Sequence, residues 1–255
     1  MLSVCGLGLR FGRLTAFEDV EFTVADGELF AVIGPNGAGK TSLFNVLSRV
    51  YEPFAGRVRL GERDLLRLRP RELAGAGLAR TFQNLALFGD LSVLDNVLIG
   101  RHHLMRCGAL RDGVFSRRAR REERAHRTAA LEALAFVGID AWADTPASTL
   151  PYGLRKRTEL ARALAMEPRV LLLDEPVAGM GEGERSEISE LVKRVHGEHG
   201  VTILLVEHDM GMVMDVADRV LVLDFGRVIA CDTPAVVQRD PRVIRAYLGE
   251  GLEAA

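Results

Sequence analysis

The chain holds 255 residues, with 33 Lys and Arg against 35 Asp and Glu, for a formal charge of −2. A hydrophobic content of 48% and a charged content of 27% supply ample material for a large core, and they exclude disorder as the main state. The near-neutral balance gives no global nucleic-acid signature, and no apolar stretch approaches the ~18 residues of a membrane span.

In chain order, Met1 to Arg10 has no basic segment ahead of its apolar residues and is interrupted by Gly6 and Gly8. It reads as a first strand and not as a leader peptide. Thr15 to Val24 and Arg57 to Leu60 read as short antiparallel strands. Leu29 to Ile33 is a continuous apolar run that enters a glycine-rich loop, followed by a helical pattern from Lys40 to Arg49. From about Asn84 to Ala165 the strand signal fades. Residues 84–165 are therefore expected to form a helical insertion within an α/β chain spanning 1–250. Arg101 to Arg127 holds nine Arg against Asp112, Glu122 and Glu123, a net of +6 that suits either a solvated helix face or contact with an anionic surface or membrane subunit.

Two further buried runs follow. Val170 to Leu173 leads into Asp174-Glu175-Pro176, and Val201 to Val206 leads into Glu207-His208-Asp209. Between and beyond them, Ile188, Leu191, Val192 and Val195 form one helical stripe, and Met210, Val213, Met214 and Ala217 another. Arg219 to Asp224, Phe225-Gly226, and Arg227 to Cys231 read as a hairpin. Apolar runs ending in polar clusters imply parallel strands covered on both faces, with ligands at their carboxyl ends. The antiparallel pieces make the sheet mixed. Cys5, Cys107 and Cys231 are odd in number and scattered, which predicts buried free thiols in a reducing compartment. Trp142 is expected to serve packing.

Gly34-Pro35-Asn36-Gly37-Ala38-Gly39-Lys40-Thr41 fits G-x-x-x-x-G-K-[ST] between a strand and a helix. Glycines in such a loop let backbone N–H groups turn inward onto phosphate oxygens, and the helix N-terminus adds positive potential. Lys40 is placed to reach the β- and γ-phosphates and Thr41 to ligate Mg²⁺. Asp174 is placed to hold Mg²⁺ through water, and Glu175 to act as general base on an attacking water. His208 lies at the same predicted sheet edge, in reach of a γ-phosphate.

With these motifs in place, nearly the whole chain resembles the ATP-binding subunits of ABC transporters. The resemblance implies an α/β P-loop NTPase fold with a mixed sheet, an antiparallel β-layer and an inserted helical subdomain. It implies ATP contacts at Phe11 and from Gly34 through Thr41 to Ser42, and Mg²⁺ held by Thr41, Gln83 and Asp174. Glu175 and His208 would be catalytic. Leu150-Pro151-Tyr152-Gly153 resembles the signature that contacts ATP held by a second cassette, and Met180-Gly181 the D-loop. The implied partners are transmembrane permease subunits, a second ATP-binding subunit and, indirectly, a substrate-binding protein, with no nucleic acid. The implied location is peripheral, on the cytoplasmic face of the inner membrane, with a soluble isolated chain.

Thr81-Phe82-Gln83, the long insertion, Ala178-Gly179 and the tail from Val243 to Gly249 are most similar to the importer ATPases for branched-chain amino acids. Urea importers and the ATPase of lipopolysaccharide export share many of these features. Three places depart from the family pattern. Pro151 stands for the signature serine, Leu154 and Arg155 for Glu or Asp and then Gln, and Gly181 for a D-loop Asp or Asn.

Overall fold

The computed structural model describes residues 1–81, 85–105 and 117–252. In chain order the elements begin with β1 (Leu2–Phe11), β2 (Leu14–Val24), β3 (Leu29–Ile33), α1 (Lys40–Leu47), β4 (Ala55–Leu60), β5 (Arg63–Asp64), α2 (Leu73–Ala76) and β6 (Leu78–Arg80). The helices α3 (Val93–Gly100), α4 (Arg117–Phe136) and α5 (Tyr152–Leu164) follow. The chain then returns through β7 (Val170–Asp174), α6 (Glu182–His199), β8 (Thr202–Val206), α7 (Met210–Val216), β9 (Arg219–Asp224), β10 (Arg227–Asp232), α8 (Pro234–Val237) and α9 (Pro241–Leu252). Two compact units result, Met1–Arg80 with Arg169–Ala255, and Thr81–Pro168.

In the first unit, β3, β7 and β8 are five-residue strands buried throughout and apolar except for Thr202 at the start of β8 and Asp174 at the end of β7. Such strands need cover on both faces, which is why they pair in parallel with helices crossing between them. Among the described residues, the six-stranded sheet has the order β10-β9-β3-β8-β7-β6, parallel except for the antiparallel β9–β10 hairpin. A four-stranded antiparallel sheet, β2-β1-β4-β5, makes the second layer. Phe17 and Val20 from that layer share one core with Phe30, Val32, Phe44 and Leu204.

The register decides where function can sit. Val32 pairs with Val206, and Val206 pairs with Asp174. These three residues therefore form one lateral row, and the chain leaves β3, β8 and β7 at the same edge. On the other flank, Arg80 at the end of β6 pairs with Leu172.

Three expectations change. α7 buries Met212, Val213 and Val216, while Met210, Met214 and Ala217 are only half-buried. The Asp209 side chain caps the helix by accepting from the Met212 N–H at 3.0 Å, and this sets which face turns inward. Cys5 is exposed, Cys231 is half-buried against the edge of the core, and Cys107 lies outside the described residues. Cys5 follows buried Val4 on β1 and points to the opposite face, as the two-residue period requires. Trp142 is 44% exposed in a short helical turn.

In the second unit, α3 packs on α4 and α5, and α4 packs on α5. Asn96 is fully buried on α3; its amide oxygen accepts from Phe88 N at 2.8 Å, and its amide nitrogen donates to Phe88 O and Ser92 O.

The β9–β10 turn fastens the two layers of the first unit. Gly226 donates to Ala38 O at 3.1 Å and accepts from Glu18 N at 3.1 Å. Its φ is +75°, and a Cβ there would lie 2.4 Å from Ala16 O. Gly226→Ala is expected to cost about 1–3 kcal/mol of stability from backbone strain alone. Urea denaturation of the purified variant measures it, and a shift below half a kilocalorie would mean the turn relaxes freely.

Candidate functional site

The loop that leaves β3 turns at once because Gly34 has φ +150° and its backbone runs against β9. A Cβ at Gly34 would fall 2.0 Å from Leu223 O, so the position admits glycine alone. Gly37 and Gly39 also take positive φ, and Gly39 caps the start of α1. Alternating backbone handedness gathers N–H groups on one side of a loop, and the helix end adds partial positive charge there. Lys40 is buried, and its Nζ donates to Gly34 O at 2.6 Å and Pro35 O at 2.9 Å. Thr41 is exposed and Ser42 half-buried on the first turn of α1.

Asp174 closes β7 at 1% exposure. Its Oδ2 accepts from Arg80 Nη2 at 2.7 Å. Arg80 Nη1 also donates to Asn45 Oδ1 at 2.8 Å and to Ser48 Oγ, both on the α1 side of the sheet. One guanidinium thus joins the helix of the phosphate loop to the acid at the end of β7. A buried carboxylate is costly without such a partner.

Glu175 follows with φ +47°, an uncommon backbone for a side chain of its size. Its N–H donates to Val206 O at 2.9 Å, which anchors it to β8. Its Oε2 lies 3.9 Å from His208 Nδ1. Beneath them, fully buried Glu207 accepts from Val177 N at 3.0 Å through Oε1, and from His208 N at 3.0 Å and Asp209 N at 3.3 Å through Oε2. Burial pushes the Glu207 carboxyl above its ordinary value, against the opposite pull of those three donors. Glu207 therefore holds the loops carrying Glu175 and His208 together from below. His208 itself remains largely open, at 61% side-chain exposure.

The structure thus brings Gly34 to Ser42, Asp174, Glu175 and His208 to one edge of the parallel sheet. Phe11 ends β1 with 44% exposure, its ring edge-on to Tyr51 at 5.1 Å between centroids. Met180 is buried and Gly181 caps α6, while Arg185 donates to Met180 O at 2.9 Å and to Asp209 at 3.2 Å. Leu150 to Gly153 belongs to the second unit, where Pro151 precedes α5 without a side-chain cap. Gln83 lies outside the described residues. Arg80 and Glu207 went without a role in the sequence. The signal for Glu207 was an acid directly after four buried apolar residues; for Arg80 no local signal exists, since Asp174 is 94 positions away.

An edge with a backbone anion nest, a lysine, a buried acid and a carboxylate–imidazole pair is equipped to bind a polyphosphate and to activate water. Comparison with known proteins agrees. The family described as ABC transporter matches residues 17–178. The family described as branched-chain amino acid ATP-binding cassette transporter matches residues 227–253. The chain is 39% identical over 250 residues to the high-affinity branched-chain amino acid transport ATP-binding protein LivG of Salmonella typhimurium, covering 98% of both chains. It is equally 39% identical over 251 residues to BraF of Pseudomonas aeruginosa, with the same coverage. Among solved structures it is similar to an ABC transporter cassette in its ADP conformation, with a TM-score of 0.84, 29% identity and 98% of each chain covered. A dimeric bacterial ABC transporter cassette matches with a TM-score of 0.76 and 26% identity, covering 92% of this chain and 99% of that one. The chain belongs to the ABC transporter family, as one of its ATP-binding and ATP-hydrolysing cassettes.

Proposed function

We propose that this cassette drives an importer for branched-chain amino acids. Its partners are transmembrane permease subunits and a second ATP-binding subunit, and a substrate-binding protein serves the same system. The observation that carries the solute class is the end-to-end similarity to LivG and BraF, joined to the family match over 227–253. Residues 1–250 work as one cassette, with 84–165 as its helical insert, at the cytoplasmic face of the inner membrane as a peripheral subunit. Among the described residues no helix is long and apolar enough to cross a membrane.

The phosphate loop from Gly34 to Ser42 cradles the triphosphate, with Lys40 exchanging its loop carbonyls for phosphate oxygens and Phe11 taking the adenine face. Glu175 draws the proton from the attacking water, and His208 contacts the γ-phosphate and registers its departure. Leu150, Pro151, Tyr152 and Gly153 face nucleotide held by the second subunit, with Met180 and Gly181 at the border between the two. Pro151 offers that nucleotide neither a hydroxyl nor an N–H.

The Thr41 hydroxyl and the Asp174 carboxylate are hard oxygen donors of the kind Mg²⁺ takes, and α1 packs against β7, so the described part of the site fits that ion. Gln83 completes the set. Mg²⁺, when bound, neutralises charge on the phosphate oxygens. Arg80 keeps Asp174 in one orientation for that purpose.

Lys40→Ala is expected to weaken ATP binding by about tenfold to a hundredfold, the worth of a hydrogen bond from a charged group, with the fold intact. Titration calorimetry on the folded variant reads this, and parental affinity would remove Lys40 from the site. Glu175→Gln should retain ATP while turnover falls by roughly 10²–10⁴. Hydrolysis at the parental rate would assign the base elsewhere. For the solute, the cassette reconstituted with its permeases and binding protein in proteoliposomes should support ATP-dependent uptake of leucine, isoleucine and valine. Uptake of urea or another amide in place of these three overturns the reading.

A further inference from the structure

α4 begins Arg117-Arg118-Ala119-Arg120-Arg121-Glu122-Glu123-Arg124 and reaches Arg127 one turn later. All six of these arginines are exposed. The apolar side of the helix lies toward α3 and α5, with Ala130 and Leu134 buried together with His126. Glu122 leans to that inner side and lies 3.7 Å from His126, at 21% exposure. Arg117, Arg121 and Arg124 fall three to four positions apart, as do Arg120, Arg124 and Arg127; exposed Glu123 stands among them and Arg127 lies 4.0 Å from Asp144, so the outer face carries an arginine-rich ridge that includes one acid.

This arrangement works against the helix that bears it. Like charges at helical spacing destabilise, where opposite ones would stabilise. Among the described residues, the first turn of α4 contains no acid and three arginines. Six arginines against Glu122 and Glu123 leave this stretch with a net charge of +4, which a planar anionic surface attracts.

We propose that the arginine ridge on the first three turns of α4 docks on anionic phospholipid headgroups. The occupant follows from what the ridge lacks as much as from its charge. Between Arg117 and Thr128 it has no large apolar side chain, whereas a specific protein interface takes buried apolar or aromatic anchors at its centre. It has no aromatic ring on which nucleic-acid bases could stack. A lipid surface asks for neither, because phosphates spread in a plane are met by guanidinium groups alone, each adding to the attraction. The proposal rests on the reading of the chain as a membrane-transport cassette. Its test needs neither permease nor solute, so the two can fail separately.

The test is sedimentation of the full chain with vesicles of phosphatidylcholine, with and without roughly one-third phosphatidylglycerol. Binding should appear only on the anionic vesicles and weaken steeply with added salt, since exposed charges are screened. Arg117→Glu with Arg118→Glu should weaken that binding at least about tenfold while thermal stability stays level or rises, because both acids then lie at the helix start. The neutral pair Arg121→Gln and Arg124→Gln should weaken it without creating repulsion. Equal binding to both vesicle types, or parental affinity in the folded double variants, overturns the proposal. So does capture of single-stranded RNA with no vesicle binding, which would make the ridge a nucleic-acid face.

Discussion

Three strands without polar interiors constrain everything else in the first unit. β3, β7 and β8 are buried along their length, and apart from Thr202 at the start of β8, whose hydroxyl accepts from Gly27 N, polar side chains wait until each strand ends. Parallel pairing then aligns those ends, and the row Val32–Val206–Asp174 brings three separate loops to one edge. The groups that do enter the interior there are paired. Asp174 meets Arg80, and Glu207 meets three backbone N–H groups. Removing one member of such a set leaves the other buried and uncompensated, which costs more than the contact itself contributed.

This division explains what could be read in the sequence. The phosphate loop is legible because its function is local: eight consecutive residues, a strand before and a helix after. Asp174 and Glu175 are legible because they close one apolar run, and His208 because it stands one residue beyond the end of another. The antiparallel layer and the β9–β10 hairpin also show in their short alternating segments, to within two residues at their ends. Arg80 is different, because its meaning depends on Asn45, Ser48 and Asp174, which only the folded sheet brings together. The stripe on α7 was displaced for a related reason. Periodicity tells that a helix has an inner face, while the cap at Asp209 fixes which residues form it. Cys5 and Trp142 followed residue-type habit into the core, and the structure puts both outside it because strand alternation and a short turn outweigh that habit.

Glu175 shows the same edge under strain. A glutamate at φ +47° costs about 1–3 kcal/mol, and the surrounding contacts must hold it there. The bond from its N–H to Val206 O and the turn closed by Ala178 N on Glu175 O do so. The strained backbone points the carboxylate toward His208 and away from the sheet. A relaxed backbone would continue the strand and carry the side chain elsewhere.

Lys40 has a consequence for how a ligand is received. Its ammonium is already fixed against Gly34 O and Pro35 O, so a long, flexible side chain has surrendered its freedom during folding. A phosphate arriving at the loop has no lysine to immobilise, only two carbonyl bonds to replace. The entropy lost on association is smaller by that amount, and recognition at this loop resembles a key meeting a finished lock more than a hand closing on an object.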